Sequence, residues 1–218
     1  MIRALAVTVS NRASQGIYED RSGPVLVEML KNAGCDVVDG PLVIPDGEAV
    51  EEVLRDSVTA GYDVTVTTGG TGLTPTDQTP EMTRRMIERE IPGIPEALRA
   101  VGAEAGVPSA ILSRGLAGVA SRTLIINLPG SSGGVRDGMN VLRRVLVHAV
   151  DQIRGGDHPR PASPEHGQGP VPAQHGHSSH DPGPGHSDHE HSDHDHGQDQ
   201  DRDHGDASEG EERSAGIA

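Results

Sequence analysis

The chain contains neither phenylalanine nor tryptophan, and Tyr18 and Tyr62 are its only tyrosines. Any hydrophobic core must therefore be packed from aliphatic side chains. The single cysteine, Cys35, excludes an internal disulfide, and its place at the start of an apolar segment indicates a packed thiol rather than a nucleophile. The single lysine, Lys31, lies within a predicted helix. A Walker A loop requires a lysine directly after its glycine, so a P-loop NTPase is excluded.

Positive charge is also scarce. Residues 1–156 carry 15 Arg or Lys against 19 Asp or Glu, a net charge of −4, and residues 157–218 carry 3 against 14, a net charge of −11. A nucleic-acid surface needs clustered basic residues, so we expect no nucleic-acid partner. No apolar run approaches the ~18 residues of a membrane span, and the first apolar run lacks a small-residue cleavage site. The sequence predicts a soluble cytoplasmic protein.

Composition divides the chain into two parts. Residues 1–156 are rich enough in aliphatic side chains to form one domain, since about 150 residues bury close to 70% of their unfolded surface. Residues 157–218 hold almost no large aliphatic residues but 11 of the 12 histidines, which predicts a disordered acidic tail. Histidine-rich tracts also bind Zn²⁺ or Ni²⁺, so loose metal binding and a solvated tail both remain open.

Apolar runs and helical patterns alternate along residues 1–156. Strands are predicted over 2–9, 35–44 and 63–68, with helices over 22–34 and 46–61 between them. Further helices are predicted over 79–89 and 95–106, then a buried strand over 122–129 and one closing helix over 133–156. Alternating strands and helices indicate an α/β fold with a mostly parallel sheet.

A glycine-rich loop follows the third predicted strand, in the stretch TTGGTGLTPTDQTPE at 67–81. Ligands of parallel α/β sheets bind beyond the carboxyl ends of strands, which is the place of Gly69, Gly70, Thr71 and Gly72. Glycines let backbone N–H groups approach phosphate oxygens without a Cβ clash. Pro75 follows where a dinucleotide-binding fingerprint would require its third glycine, so an NAD enzyme is not supported.

Two aspartates near strand ends are candidate ligands, Asp77 beside this loop and Asp46 after another strand. The next helix already has start signals in Thr79 as N-cap and Pro80 as its first residue, so Asp77 is not needed for capping. A carboxylate beside a phosphate-binding loop repels phosphate unless a cation lies between them, which suggests Mg²⁺. Asp46 follows another strand, where a capping role in the second helix and a ligand role both remain open.

Two further segments carry candidate ligand-binding residues. In NLPGSSGG, at 127–134, Ser131 or Ser132 either caps the closing helix or binds an anion at the helix N-terminus. In AILSRG, at 110–115, Ser113 precedes Arg114, which is either a surface charge or a partner for phosphate.

Together these segments resemble the molybdopterin adenylyltransferases of molybdenum-cofactor biosynthesis, the MogA/MoaB family. The resemblance is carried by TTGGTG followed by TDQTPE, by IPD ending at Asp46, by NLPGSSGG, and by VSNRASQGIYEDRSG and PSAILSRG. It covers essentially all of residues 1–156. The glycine motif alone would also fit cofactor-insertion and competence-damage proteins of the same domain type.

The resemblance implies a three-layer α/β/α domain, commonly a trimer or hexamer, that binds Mg-ATP and molybdopterin. Such enzymes transfer AMP to the molybdopterin phosphate and release pyrophosphate, with hand-off of the product to a molybdenum insertion protein. Asp46 and Asp77 match the two aspartates used for that step, here as ligands of Mg²⁺. Residues 69–72 match the nucleotide and pterin-phosphate loop.

One departure from the family pattern leaves alternatives open. Asn11 stands where many relatives have an aspartate, which motivates a second hypothesis of a non-catalytic molybdopterin-binding or scaffold protein of the same fold. A third hypothesis is metal buffering through the histidine-rich tail, to which the family pattern does not extend.

Overall fold

The computed structural model describes residues 1–156, in which six strands and seven α-helices alternate. The strands are β1 (Arg3–Val9), β2 (Val37–Ile44), β3 (Val64–Thr68), β4 (Arg89–Glu90), β5 (Ala117–Ala120) and β6 (Thr123–Leu128). The helices are α1 (Asn11–Ser14), α2 (Ser22–Asn32), α3 (Glu48–Thr59), α4 (Thr79–Met86), α5 (Gly93–Glu104), α6 (Ser132–Leu142) and α7 (Leu146–Ile153), and Pro108–Leu112 form a 3₁₀ helix. The acidic tail predicted from composition, with its histidines, lies outside the described residues.

One mixed sheet has the strand order β2-β1-β3-β6-β5-β4. The first four of these strands run parallel, whereas β5 and β4 are antiparallel to their neighbours. The mostly parallel α/β sheet predicted from the sequence is confirmed. Because β1, β2, β3 and β6 point the same way, the loops that follow them converge at one edge of the sheet.

Aliphatic side chains cover both faces of the sheet, which makes the domain three-layered. Ala4 and Ala6 of β1 face one cluster, and Leu5 and Val7 face the other, as expected from the two-residue period of a strand. The first cluster is completed mainly by α2, α6 and α7, through Leu26, Leu30, Val135, Met139, Leu142, Leu146 and Val150. The second is completed by α3 and α4, through Val50, Leu54 and Met82. No helix within residues 1–156 is long and apolar enough to cross a membrane.

The closing helix differs from the prediction of one continuous element over 133–156. It is divided into α6 and α7, with a non-helical backbone at Val145 (φ −128°, ψ −15°). Leu142 ends α6 and Leu146 begins α7, and both are buried in the same cluster. The apolar spacing is therefore kept across the break, which explains why the sequence pattern alone did not reveal it.

The chain between α4 and β6 also departs from the prediction. Helix α4 ends at Met86 rather than near Arg89, and Arg89–Glu90 pair instead with Gly118 and Val119 of β5. Strand β5 was not predicted, because AGVA contains a single β-branched residue and gives little strand signal. Its place is set by antiparallel pairing with β6.

Cys35 should be chemically inert in the folded protein. Its side chain is only 4% exposed, and burial raises the pKa of the thiol to about 11. At pH 8 about one thiol in a thousand is then the reactive thiolate. We expect native protein to resist iodoacetamide under conditions that alkylate the urea-unfolded chain fully, as measured by intact mass. Equal alkylation rates in the two states would contradict the packed-thiol assignment.

Candidate active site

Two clefts open at the carboxyl edge of the sheet and meet at the glycine-rich loop after β3. The larger cleft, of about 1000 Å³, is bounded by the ends of β1 and β3, the segment before α2 and the start of α6. The smaller cleft, of about 590 Å³, lies between the glycine loop, α5, the 3₁₀ helix and α6. Both are lined by Gly69, Gly70, Asp77, Gly130 and Ser131. Ligands in the two clefts would therefore meet at this loop.

Every site residue proposed from the sequence except Arg114 lines one of these clefts. Asp46 and Ser132 line the larger cleft, and Thr71, Gly72 and Ser113 line the smaller one. Gly69, Gly70, Asp77 and Ser131 line both. The structure thus brings together residues that are up to 86 positions apart, from Asp46 to Ser132, as parallel strands with converging ends allow.

The glycine loop needs glycine for steric reasons. Gly69 has φ +104°, and a Cβ built there would lie 2.2 Å from the backbone oxygen of Val9. Gly70 has φ +65°, and its Cβ would lie 2.2 Å from Oδ2 of Asp46. The Gly69 N–H donates to the carbonyl of Leu128 at 3.1 Å, which ties the loop to the end of β6. No side chain fits between the loop and β1 or Asp46.

Asp46 does not cap its own helix, which resolves one alternative left open by the sequence. Helix α3 has no side-chain cap, and the Asp46 carboxylate instead accepts from the backbone N–H of Gln78 at 3.0 Å and the Thr79 hydroxyl at 3.0 Å. The Thr79 hydroxyl is thus a donor to Asp46 rather than the predicted cap of α4, whose N-cap is Gln78. The carboxylate holds the start of α4 against the end of β2.

Asn11 positions Asp46 through its side-chain oxygen. The Asp46 backbone N–H donates to Asn11 Oδ1 at 2.9 Å. An aspartate at position 11 would offer the same acceptor, so the departure from the family pattern keeps this hydrogen bond and removes one negative charge from the larger cleft.

Asp77 shapes the loop between Gly72 and α4. Its Oδ2 accepts from the backbone N–H of Thr74 at 3.0 Å and from the Thr74 hydroxyl at 2.7 Å. A Cβ on Gly72 would lie 2.7 Å from the same oxygen. Asp46 therefore packs against Gly70 and Asp77 against Gly72, so the two carboxylates flank one short stretch of loop.

The donor set fits a magnesium ion that arrives with a phosphate ligand. The larger cleft is lined by four acidic residues (Glu19, Asp20, Asp46 and Asp77) and two arginines (Arg12 and Arg21), so a polyphosphate would be repelled without a counter-cation. Among residues 1–156 no cluster of three or more His, Cys, Asp or Glu side chains could hold a metal alone. Magnesium is usually bound by one or two carboxylates together with substrate phosphates, which matches Asp46 and Asp77.

Arg114 has a different place from the one considered in the sequence analysis. Its Nε donates to the Gly72 carbonyl at 2.7 Å and its Nη2 to the Asp77 carbonyl at 2.5 Å, while Nη1 pairs with Glu81. The Arg114 backbone N–H also donates to the Thr71 carbonyl at 2.9 Å. The guanidinium thus bridges Gly72, Asp77 and Glu81, and Arg114 lines neither cleft. Its nitrogens are bound to protein acceptors rather than available to a phosphate.

Replacement of Arg114 by alanine should loosen the loop. Two charge-assisted hydrogen bonds to backbone carbonyls are lost, and we expect a loss of about 2–3 kcal/mol in the free energy of unfolding, with lower activity. The control is Arg122→Ala, since Arg122 is exposed and lines neither cleft. Urea unfolding of both variants measures the effect. Equal stability of the two variants would contradict the anchoring role.

The start of α6 forms the far wall of both clefts. Ser131 is the N-cap residue, and its hydroxyl accepts from the Gly134 N–H at 3.0 Å. The Ser132 hydroxyl donates to the Arg21 carbonyl at 3.0 Å, which connects α6 to the segment before α2. A Cβ built on Gly133 meets nothing within 4 Å, so the space in front of this helix start is open. Of the two roles predicted for these serines, Ser131 therefore performs the capping.

Sequence reasoning missed several residues that line the clefts. Asp20 holds the start of α2, whose N-cap residue is Arg21, because its Oδ1 accepts from the N–H groups of Ser22 and Gly23. Asp137 lines the smaller cleft from α6, and Asn127 lines it from β6. The Asn127 amide donates to Thr67 Oγ1 at 2.9 Å, inside the buried strand pair. Asn127 could have been found as a polar residue inside an apolar strand. No feature of the sequence distinguishes Asp137 from the other polar residues of its helix.

Comparisons with known proteins identify the family of the chain. Residues 5–148 match the molybdenum-cofactor biosynthesis family described as "Probable molybdopterin binding domain". The chain is 35% identical over 152 residues to a molybdopterin adenylyltransferase of Helicobacter pylori, covering 68% of this chain and 86% of the relative. It is also 35% identical over 169 residues to gephyrin of Dictyostelium discoideum, covering 73% of this chain but only 23% of that longer protein.

Among solved structures, the Mog protein of molybdopterin biosynthesis from Mycobacterium ulcerans superposes with a TM-score of 0.67 at 46% identity, covering 70% of this chain and 99% of that one. By its sequence over residues 5–148, the chain belongs to the molybdenum-cofactor biosynthesis family.

Proposed function

We propose that the protein is a molybdopterin adenylyltransferase that uses Mg-ATP. An oxygen of the molybdopterin phosphate forms a bond to the α-phosphorus of ATP, the bond from that phosphorus to the bridging oxygen of the β-phosphate breaks, and pyrophosphate leaves. The products are adenylylated molybdopterin and pyrophosphate. This assignment is supported by relatives named for the activity and by a site with room for two ligands that meet at a phosphate-binding loop.

Two candidate metal ligands and two arginines favour the larger cleft for the nucleotide. Asp46 and Asp77 would hold Mg²⁺ there, and the ion, when bound, supplies charge neutralisation at the phosphates. Arg12 and Arg21 are the basic residues that line this cleft within the described part of the chain, and they complement a leaving pyrophosphate. The smaller cleft, which has more apolar walls, is left for molybdopterin.

The residues of the chain act by positioning rather than by proton transfer. A phosphate monoester has a second pKa of about 6 and is already largely ionised at neutral pH, so the attacking phosphate needs no general base. In agreement, His148, the single histidine of residues 1–156, lines neither cleft. The open amides of residues 70–72 and of the α6 start would bind phosphate oxygens where the two ligands meet.

The observation that carries the proposal is the flanking of one glycine loop by two acidic side chains, Asp46 beside Gly70 and Asp77 beside Gly72. The experiment is an assay of pyrophosphate release from ATP with Mg²⁺, with and without molybdopterin. We expect release that requires all three components and a stoichiometric adenylylated product. Binding of molybdopterin with no pyrophosphate release would instead support the non-catalytic scaffold hypothesis.

The proposal also includes the oligomeric state of the protein, the transfer of its product to a partner protein and its location in the cell. A trimer or hexamer in the cytoplasm, passing its product to a molybdenum insertion protein, is what the family resemblance implies. Exposed apolar side chains near the smaller cleft support an assembled state: Val107, Ile111 and Leu112 are 48%, 63% and 52% exposed. Light scattering on the purified full chain measures the oligomer directly.

A further inference from the structure

We propose that Asp137 selects the pterin ring in the smaller cleft by accepting hydrogen bonds from its 2-amino group and the neighbouring ring N–H. The inference rests on the proposed function, because it takes molybdopterin as the occupant of that cleft. The inference adds a specificity-determining residue and identifies the edge of the pterin ring that forms hydrogen bonds with it.

Asp137 is a half-buried carboxylate without a protein partner. It projects from the second turn of α6 and lines the smaller cleft. Within the part of the chain that the structure describes, its side chain has no hydrogen bond or ion pair. Three of the other carboxylates that line the clefts, on Asp20, Asp46 and Asp77, accept hydrogen bonds from protein donors, and the fourth, on Glu19, lines only the larger cleft. Asp137 is thus the carboxylate of the smaller cleft that remains available to a ligand.

The walls around Asp137 suit a flat heterocycle. Apolar contacts are available from Pro95, Leu98, Val107, Leu112 and Pro129. Glycines keep the remaining wall close to the backbone: a Cβ on Gly138 would lie 2.8 Å from Leu128, and one on Gly134 would lie 2.9 Å from Pro129. A carboxylate at the side of an apolar slot is incompletely hydrated, so a ligand that offers N–H donors there gains a charge-assisted hydrogen bond.

The donor pattern distinguishes the two substrates. A pterin presents an exocyclic amino group beside a protonated ring nitrogen, so its pyrimidine edge offers two parallel donors that match one carboxylate. The pairing edge of adenine offers one amino donor beside an unprotonated ring nitrogen, whose lone pair would face the second carboxylate oxygen. Asp137 would therefore admit the pterin and disfavour adenine, which directs ATP to the larger cleft.

The test uses two fluorescent probes that differ at one group, pterin-6-carboxylate and lumazine-6-carboxylate. Lumazine carries an oxygen in place of the 2-amino group, so it would place an acceptor against the Asp137 carboxylate. Binding is measured by fluorescence titration without ATP or Mg²⁺, at a mildly acidic pH where both rings are neutral. We expect the wild-type protein to bind the pterin at least about tenfold more tightly, since an unpaired buried polar group is costly.

The variant Asp137→Asn should invert this preference, because its amide donates to the lumazine oxygen while its carbonyl still accepts from the ring N–H. The matched control is Asp151→Asn, an exposed aspartate on α7 that lines neither cleft and should keep the wild-type preference. Three results would overturn the inference: an equal loss of affinity for both probes in Asp137→Asn, an unchanged preference in that variant, or no binding of the pterin probe by the wild type. Equal binding of both probes by the wild type would overturn the inference even if the variant does not fold.

The two assays distinguish a failure of the proposed function from a failure of the role proposed for Asp137. A wild-type protein that transfers AMP but treats both probes alike would retain the proposed function and lose the role of Asp137. A protein that shows the Asp137-dependent preference but releases no pyrophosphate would retain the pterin site and lose the transferase assignment.

Discussion

Replacing Asp46 or Asp77 by asparagine is expected to reduce AMP transfer by about a hundredfold or more while the protein stays folded. Metal-assisted charge stabilisation contributes several kcal/mol to such transition states, and each 1.4 kcal/mol corresponds to a factor of about ten in rate. Asparagine keeps one side-chain acceptor for Gln78 or Thr74, so the local hydrogen bonds should largely persist. The measurement is kcat for pyrophosphate release, with thermal unfolding in parallel.

The control for these variants is Asp56→Asn, which removes an exposed carboxylate from α3 away from both clefts. It should transfer AMP at the wild-type rate. If Asp46→Asn and Asp77→Asn both kept turnover comparable to this control, the two aspartates would not be the metal ligands and the assignment would be withdrawn.

Gly69→Ala should be among the most damaging single-methyl changes in the domain. The backbone at φ +104° disfavours any L side chain, and the added Cβ would lie 2.2 Å from the Val9 carbonyl, which belongs to β1 and cannot move alone. Strain and overlap together predict a loss of about 3 kcal/mol or more in unfolding free energy. Because the loop lines both clefts, any folded fraction should also bind both substrates poorly.

Gly61→Ala separates the two causes of that loss. Gly61 also has a positive φ, +73°, but a Cβ there meets nothing within 4 Å. We expect it to cost only about 1 kcal/mol, the contribution of backbone strain alone. Urea unfolding curves for the two variants provide the comparison. Similar losses in both would show that the close approach to Val9 is unimportant.

The sequence predicted the parallel part of the sheet because its strands are short apolar runs bounded by turn residues. The strand that ends at the glycine loop, VTVTT over Val64–Thr68, is an example, and it is fully buried. Strand β5 lacked such a signal, since Ala117–Ala120 is fixed by pairing with β6 rather than by intrinsic preference. The break between α6 and α7 was missed for a related reason, because the buried positions keep helical spacing on both sides of Val145.

Site residues were predictable where the backbone itself required an unusual residue, as in the glycine loop. The roles of polar side chains were less predictable, because they depend on partners distant in the sequence. Asp46 contacts Gln78 and Thr79, 32 and 33 positions away, and Arg114 contacts Gly72, 42 positions away. In the sequence, Asp137 has the spacing of a residue on the polar face of a helix. Only the structure shows the cleft beside it.

The central claim is that Asp46 and Asp77 hold the metal of a nucleotide in the larger cleft. It is tested most directly by a crystal structure of the full chain with Mn²⁺ and a non-hydrolysable ATP analogue, in which the metal is located by its anomalous signal. We predict a peak bonded to an oxygen of Asp46 or Asp77, at about 2.1–2.2 Å, and to a phosphate oxygen of the nucleotide. A metal coordinated by phosphate and water alone, or a nucleotide base seated beside Asp137 in the smaller cleft, would contradict the account.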